Sequence, residues 1–268
     1  MLVETIRGKG LTNFDIKLLG ITLMVIDHIH EMFALAGAPN WLDWFGRPVA
    51  TIFMFLTVEG FTHTQNLRRY LARLLIGFWV MEIGNLIVQH FFSLGRFELI
   101  NNIFCDLFLG VLTMFAIQLI VAGKRHHQIS KIFIGVSIIV VPFILSGLFV
   151  VLMQSGLGRE WSFLMLVVPT PLFAENSIFL YLGPVMYLCR KHRSWQMVSI
   201  AVAALLSTGF NFSSLLVNNT QWLMILAIIP LAFYNGQLGK SMKGFFYGFY
   251  PVHIWSLYIL ASLLGVRG

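Results

Sequence analysis

Lysine and arginine fall along this chain in clusters whose spacing matches a membrane helix and its return. The clusters are Arg7, Lys9 and Lys17; Arg68, Arg69 and Arg73; Lys124, Arg125 and Lys131; Arg190, Lys191 and Arg193; and Lys240 with Lys243. Apolar stretches separate them, and the turns midway between clusters carry almost no cations. This alternation is the positive-inside pattern of a multi-pass membrane protein, because cationic loops stay on the cytoplasmic side. With the N-terminus inside, only Arg47, Arg96, Arg159 and Arg267 face outward, so 14 of 18 cations are internal. That bias selects a cytoplasmic N-terminus over the inverse orientation.

Composition agrees with a lipid solvent: 58% of the 268 residues are apolar, 11% are charged, and the mean hydropathy is +0.82. In a soluble protein the net charge of +7 would suggest nucleic acid. Here the excess sits in loops on one side, where it faces anionic lipid, and no basic face with interleaved aromatics exists outside the spans. Cys105 and Cys189 lie in apolar runs without metal-ligand spacing and read as packing residues. The polar stretch from Met1 to Lys17 is too long for a signal-peptide n-region, and no small-x-small cleavage site follows, so the first apolar run is expected to remain as a helix.

About 20 apolar residues cross a bilayer core. The pattern predicts an all-α, polytopic transmembrane bundle of about nine spans, at Phe14–Leu35, Pro48–Phe61, Leu71–Phe92, Ile103–Val121, Ile132–Met153, Leu172–Cys189, Trp195–Phe210, Trp222–Tyr234 and Phe245–Leu264. The second and eighth are short. Trp161–Val168 with Pro169-Thr170-Pro171 is too short to cross and reads as a re-entrant or interfacial piece. No internal repeat and no long linker is evident, so a single domain over residues 1–268 is expected, and an inverted-repeat transporter is disfavoured.

Ionisable side chains inside spans cost roughly 2.5–3.5 kcal/mol each on insertion scales, which makes each a functional hypothesis. The first span carries Asp27, His28, His30 and Glu31. On a helix His28 and Glu31 share a face, as do Asp27, His30 and Glu31. Lys17, Ile21, Met24 and His28 line one stripe, with Lys17 about 16 Å inward of His28. Histidine exchanges its proton near neutral pH, and a neighbouring carboxylate raises its basicity, which suits a general base. The competing readings are polar contact between helices and a metal site of His28, His30 and Glu31, although two histidines at i, i+2 point to different faces.

Further along, Gly46-Arg47-Pro48 opens the second span, which holds Glu59 and closes at His63. Arg68, Arg69 and Arg73 either serve topology alone or meet phosphates of a cytosolic ligand. In the ninth span Tyr250, Pro251 and His253 lie about two turns from the inner surface, where the proline frees a backbone carbonyl. Glu82, Asn85, Asn101, Asn102 and Asp106 complete the polar groups inside spans. No Gly-x-Ser-x-Gly elbow, Walker loop or Rossmann glycine pattern occurs. Asn211-Phe212-Ser213 and Asn218-Asn219-Thr220 match glycosylation sequons, a signal meaningful only in a eukaryotic secretory membrane.

Several of these segments together resemble the TraX family: Ile16-Lys17-Leu18 through Asp27-His28-Ile29, Gly46-Arg47-Pro48 through Phe55, Val58-Glu59-Gly60-Phe61-Thr62-His63-Thr64, Arg68-Arg69-Tyr70-Leu71-Ala72-Arg73, Tyr234-Asn235-Gly236 and Phe249-Tyr250-Pro251-Val252-His253. Residues 130–215 add only hydropathy to the likeness. The resemblance implies a bacterial inner-membrane protein and an acetyltransferase drawing on acetyl-CoA, since the member that names the family acetylates the N-terminal residue of a conjugative pilin. It also implies a distant similarity to polytopic acyltransferases in which an arginine precedes a catalytic histidine by eleven residues. Lys17 stands eleven before His28 here, keeping the charge but not the guanidinium fork. On this reading His28, Asp27, Glu31 and His253 form the catalytic group. Lys17, Arg47, Glu59, His63, Arg68, Arg69, Arg73 and Tyr250 hold the co-substrate, and no metal is required. A pilin-type protein is the expected acceptor, with membrane lipid as the surrounding partner and no nucleic acid. The alternatives are O-acetylation of a glycan or lipid, and a non-enzymatic permease or pilus-assembly factor.

Overall fold

A computed structural model describes residues 10–95, 97–156, 163–164, 166–174 and 177–266, with the backbone alone for 177–179 and 243. Arg7, Lys9, Arg96, Arg159 and Arg267, and Trp161 at the start of the expected re-entrant piece, lie outside the described residues. The architecture is helical. Among the described residues there are nine α-helices: α1 Asn13–Phe33, α2 Arg47–His63, α3 Leu67–Phe91, α4 Ile103–Arg125, α5 Ile129–Gln154, α6 Ser177–Leu188, α7 Arg193–Ser207, α8 Ile228–Ala232 and α9 Lys243–Leu263. The only extended pairings described are two isolated bridges.

Each expected span coincides with a helical segment, and four are long and apolar enough to cross a membrane: Asn13–Ala36, Leu67–Phe91, Ile103–Arg125 and Ile129–Gln154. The eighth differs from a regular span. Gln221–Ala227 is a 3-10 helix, and α8 adds one short α-helical turn, so Pro230 lies near the start of α8. The sixth is also divided, into a 3-10 turn at Pro171–Phe173 and the twelve-residue α6.

Contacts divide the chain into two units, and the division falls within α2 and α3. The first comprises the described parts of 1–56, 84–99 and 189–268. Its entry is set by a capping box, in which Thr12 and Asp15 exchange side-chain and backbone hydrogen bonds and satisfy amides that the first helical turn leaves open. Residues 10–14 are then laced to 233–238: the Leu11 amide donates to the Phe233 carbonyl at 2.8 Å, the Asn235 amide to Leu11 at 2.9 Å, and the Asn13 amide to Gln237 at 2.8 Å. α1 and α9 run side by side in the same direction, with Phe14 meeting Phe246 near their starts and His28 meeting His253 further on. Ile16, Met24, Met32, Ile52, Phe55, Ile200, Met224 and Ile254 fill this unit's core.

The second unit comprises the described parts of 57–83 and 100–188. α4 packs on α5 and α6. Gly135 lets the α4 and α5 backbones approach, because a Cβ there would lie 2.8 Å from the Ala116 carbonyl oxygen, and small residues at such crossings are how membrane helices gain contact. The rest of α5 shows Phe133, Ile144 and Val151 at its surface, as a lipid-facing helix does. The loop before Pro171 is tied down by Trp79, whose indole donates to the Val167 carbonyl at 2.9 Å.

Candidate functional site

The buried stripe of α1 repeats every four residues, Gly20, Met24, His28 and Met32, which follows from the helical period and places one imidazole among apolar neighbours. His28 is only 6% exposed, and α9 brings His253, 8% exposed, directly against it. His28 Nδ1 and His253 Nε2 are 2.8 Å apart. The rings stack with centroids 5.0 Å apart, and Phe249 covers the other side of His253 at 4.9 Å. Tyr250 is edge-on to both imidazoles, at 6.5 Å and 5.8 Å.

The hydrogen-bond pattern determines the tautomers. His253 Nδ1 lies 2.8 Å from the Phe249 carbonyl, which can only accept, so Nδ1 carries the hydrogen. With both rings neutral, His253 Nε2 then accepts and His28 Nδ1 donates. The unshared electron pair of His28 is left on Nε2. That atom faces Glu31, whose Oε2 is 3.7 Å away. Chained hydrogen bonds of this kind polarise one another.

Asp27 turns away from the imidazoles toward Arg47. The Arg47 guanidinium lies 3.7 Å from Asp27 and is paired with Asp43, while its Nη1 donates to Gln221 Oε1 at 3.3 Å. Asp43 in turn accepts from the Thr220 hydroxyl at 3.0 Å. Gly46 makes room for this arrangement, since a Cβ there would sit 2.0 Å from the Asp27 carboxyl carbon. Glu31 also lines a small pocket with Met32, Leu35, Leu94, Phe97 and Val266.

Of the residues expected at the site, His28, His253, Glu31 and Tyr250 come together. Asp27 and Arg47 form a separate network at the same end of α1. Lys17 lies on α1 with its ammonium 5.4 Å above the Phe246 ring. Glu59, His63, Arg68, Arg69 and Arg73 belong to the second unit. There His63 Nδ1 is 2.8 Å from the Glu59 carbonyl, and Asn66 caps the start of α3 through the Arg69 amide at 2.9 Å, leaving the three arginines exposed. His30 reaches Asn40 rather than the imidazole pair, at 3.3 Å. Among the described residues no group of three or more His, Cys, Asp or Glu side chains is placed to hold a metal. Asp43, Thr220, Gln221 and the Phe249 carbonyl were not legible as site residues. The first three join through contacts more than 170 positions apart, and a backbone carbonyl leaves no mark in composition.

Four helices long and apolar enough to cross a membrane mark a membrane protein, and the first of them carries His28 of the buried imidazole pair. The family model described as TraX protein matches residues 14–261, and the chain belongs to that family. It is also 27% identical over 260 residues to the probable fimbrial assembly protein FimC, serogroup H1, of Dichelobacter nodosus, covering 92% of this chain and 95% of that protein. No solved structure matches.

Proposed function

We propose that this protein is a membrane acetyltransferase that takes an acetyl group from cytosolic acetyl-CoA and delivers it to an acceptor at or across the bacterial inner membrane. The acceptor proposed is the terminal amine of a pilin-type protein. The observation that carries the reading is the His28–His253 pair, a buried hydrogen-bonded couple whose tautomers leave a base at His28 Nε2. A structural polar contact between helices needs one donor and one acceptor. Here a carboxylate also lies 3.7 Å from the unprotonated nitrogen, where it can stabilise an imidazolium once the proton is taken.

In the proposed step, His28 Nε2 removes the proton from the acceptor N–H as its nitrogen attacks the thioester carbonyl. The new C–N bond forms, the C–S bond breaks, and the departing thiolate recovers the proton from the imidazolium. Glu31 stabilises that imidazolium, and His253 holds the ring's orientation. Attack by the imidazole itself, giving an acetyl-histidine that passes the group on, uses the same atom. Lys17, Arg68, Arg69 and Arg73 are proposed as the cations that meet the CoA phosphates, with Glu59, His63 and Tyr250 near its path. The nine-span arrangement with a cytoplasmic N-terminus belongs to the same proposal. The parallel course of α1 and α9 supports only that both are odd-numbered spans, and the cytoplasmic N-terminus rests on the cationic clusters.

Turnover of radiolabelled acetyl-CoA by detergent-purified protein tests the reading, with His28→Ala as control. Loss of about 10²–10⁴-fold in the variant, with insertion and folding intact, is the expected result. Absence of binding at millimolar acetyl-CoA in well-folded protein would favour the second reading, a non-enzymatic membrane factor in pilus assembly. The Dichelobacter nodosus relative, a probable fimbrial assembly protein, speaks for that alternative.

A further inference from the structure

The connection from α7 to the 3-10 helix at Gln221–Ala227 lies in the first unit and turns level with the histidine couple. Contacts fix that level at both ends. At the start of α7 the Arg193 guanidinium rests 5.0 Å from the Tyr234 ring, and Tyr234 pairs with Leu11 just ahead of α1. At the far end the Thr220 hydroxyl donates to Asp43 at 3.0 Å and Gln221 accepts from Arg47 at 3.3 Å. Arg47 in turn lies 3.7 Å from Asp27, the neighbour of His28. The fifteen residues of α7 rise about 22 Å, and the return through Gln221–Ala227 and α8 covers about the same distance. From Leu11 to Asp27 along α1 is about 24 Å, which agrees. A hydrocarbon core is about 30 Å thick, so these two segments stop about 8 Å short of crossing it. By contrast, α9 continues about 15 Å beyond His253.

The chemistry of the turn suits lipid rather than water. From Ser194 to Gly239 the sequence has no Asp, Glu, Lys, Arg or His, although Arg190, Lys191 and Arg193 precede this stretch and Lys240 follows it. Phe210, Phe212, Leu216 and Val217 stand exposed at the turn, Phe210 at 65% and Val217 at 71%. Its polar groups meanwhile close on one another. Asn219 Nδ2 donates to the Thr208 and Asn211 carbonyls at 3.1 and 2.8 Å, and the Val217, Asn218 and Asn219 amides donate to the Ser214 carbonyl. The Trp44 and Trp222 indoles donate to the Leu216 and Leu215 carbonyls at 3.2 and 2.8 Å. Irregular backbone persists among hydrocarbon only where protein satisfies its donors and acceptors, whereas a loop in water needs no such closure.

We infer that residues 208–220 form a lipid-binding surface submerged in the outer leaflet, with Phe210, Phe212, Leu216 and Val217 against acyl chains. The occupant is lipid because the turn is short of the far boundary, free of charge and closed in its hydrogen bonding. Through Thr220 and Gln221 the submerged turn also fixes the depth of Arg47 and Asp27, and with them that of His28. The inference takes from the proposed function its nine-span course with a cytoplasmic N-terminus, and it is independent of the acetyltransferase chemistry.

Nitroxide labels at Phe212→Cys and Val217→Cys in the full-length protein, with Lys240→Cys as reference, test this in phosphatidylcholine nanodiscs. Cys189→Ser removes the half-buried thiol, and the buried Cys105 is left in place. Both loop labels are expected to collide with oxygen more often than with a water-soluble nickel chelate, at a depth of about 8 Å inside the core boundary, and the label at position 240 to show the reverse order. Dominance of nickel at 212 and 217 would place the turn in water and overturn the inference. Poor access to both reagents would assign the surface to a protein partner or a second copy, and overturn it equally. In intact cells a membrane-impermeant maleimide is expected to spare Lys240→Cys, and reaction there would overturn the outer-leaflet assignment. Should the labelled variants fail to fold, melting midpoints in the same nanodiscs decide. Val217→Asp is expected to melt several degrees below Val217→Asn, because an ion in hydrocarbon costs more than an amide, and equal midpoints overturn the inference. Acetyl-CoA turnover by the wild type is read separately, so a submerged turn without turnover keeps this inference and removes only the acetyltransferase reading.

Discussion

Each unit buries a polar cluster, and the two are built from different chemistry. In the first, two imidazoles are hydrogen-bonded to each other and the Glu31 carboxylate lies 3.7 Å from His28. In the second, Asn102 donates to the Phe78 carbonyl at 3.2 Å and to Glu82 at 2.7 Å, a bond set that pins α3 to the start of α4. An amide neither gains nor loses a proton, so Asn102 orders the helices, and Glu82 is the ionisable member of this bridge. Burial alone does not separate the clusters. What separates them is that two imidazoles are bonded to each other in one, whereas an amide holds a carboxylate in the other.

Variants across both clusters bring out this contrast. The largest effect is expected from His28→Ala, which removes the proposed base and costs about 10²–10⁴-fold in acetyl-CoA turnover. His253→Gln should follow, at about 10–100-fold. It deprives His28 of a fixed tautomer but leaves the base in place, and a larger loss than in His28→Ala would reverse the two roles. Gly46→Ala is expected to reduce turnover severalfold with insertion unchanged, because the added methyl must displace the Asp27 carboxyl one residue from His28. Asn102→Ala should leave turnover unaltered. Its cost is stability, about 1–3 kcal/mol from stranding Glu82 and the Phe78 carbonyl, read as a lowered melting midpoint. A loss of turnover in Asn102→Ala without any change in melting would erase the distinction between the units.

The histidine couple was half visible in the sequence. His28 stood out because an imidazole among Ile21, Met24 and Ile29 is expensive in a span, and His253 because Pro251 precedes it by two residues. Their meeting required a contact 225 positions apart. Helix positions were readable for the same reason, since apolar runs of about 20 residues are set by bilayer thickness. The eighth span was less so: Trp222–Tyr234 has the composition of a crossing, while its backbone tightens into a 3-10 helix over Gln221–Ala227, where Gln221 and Thr220 reach Arg47 and Asp43. Arg47 illustrates the remaining gap. At the start of a span it read as a co-substrate contact, and only the fold brings two carboxylates and an amide to it.

The separation of His28 from His253 also sets a timetable. α1 leaves the ribosome first, and its partner follows 225 residues later. At 5–20 residues per second that interval is about 11–45 s. Throughout it, the newborn helix holds Asp27, His28 and Glu31 in or beside lipid without the imidazole that will complete them. A chain interrupted before α9 keeps His28 without its partner.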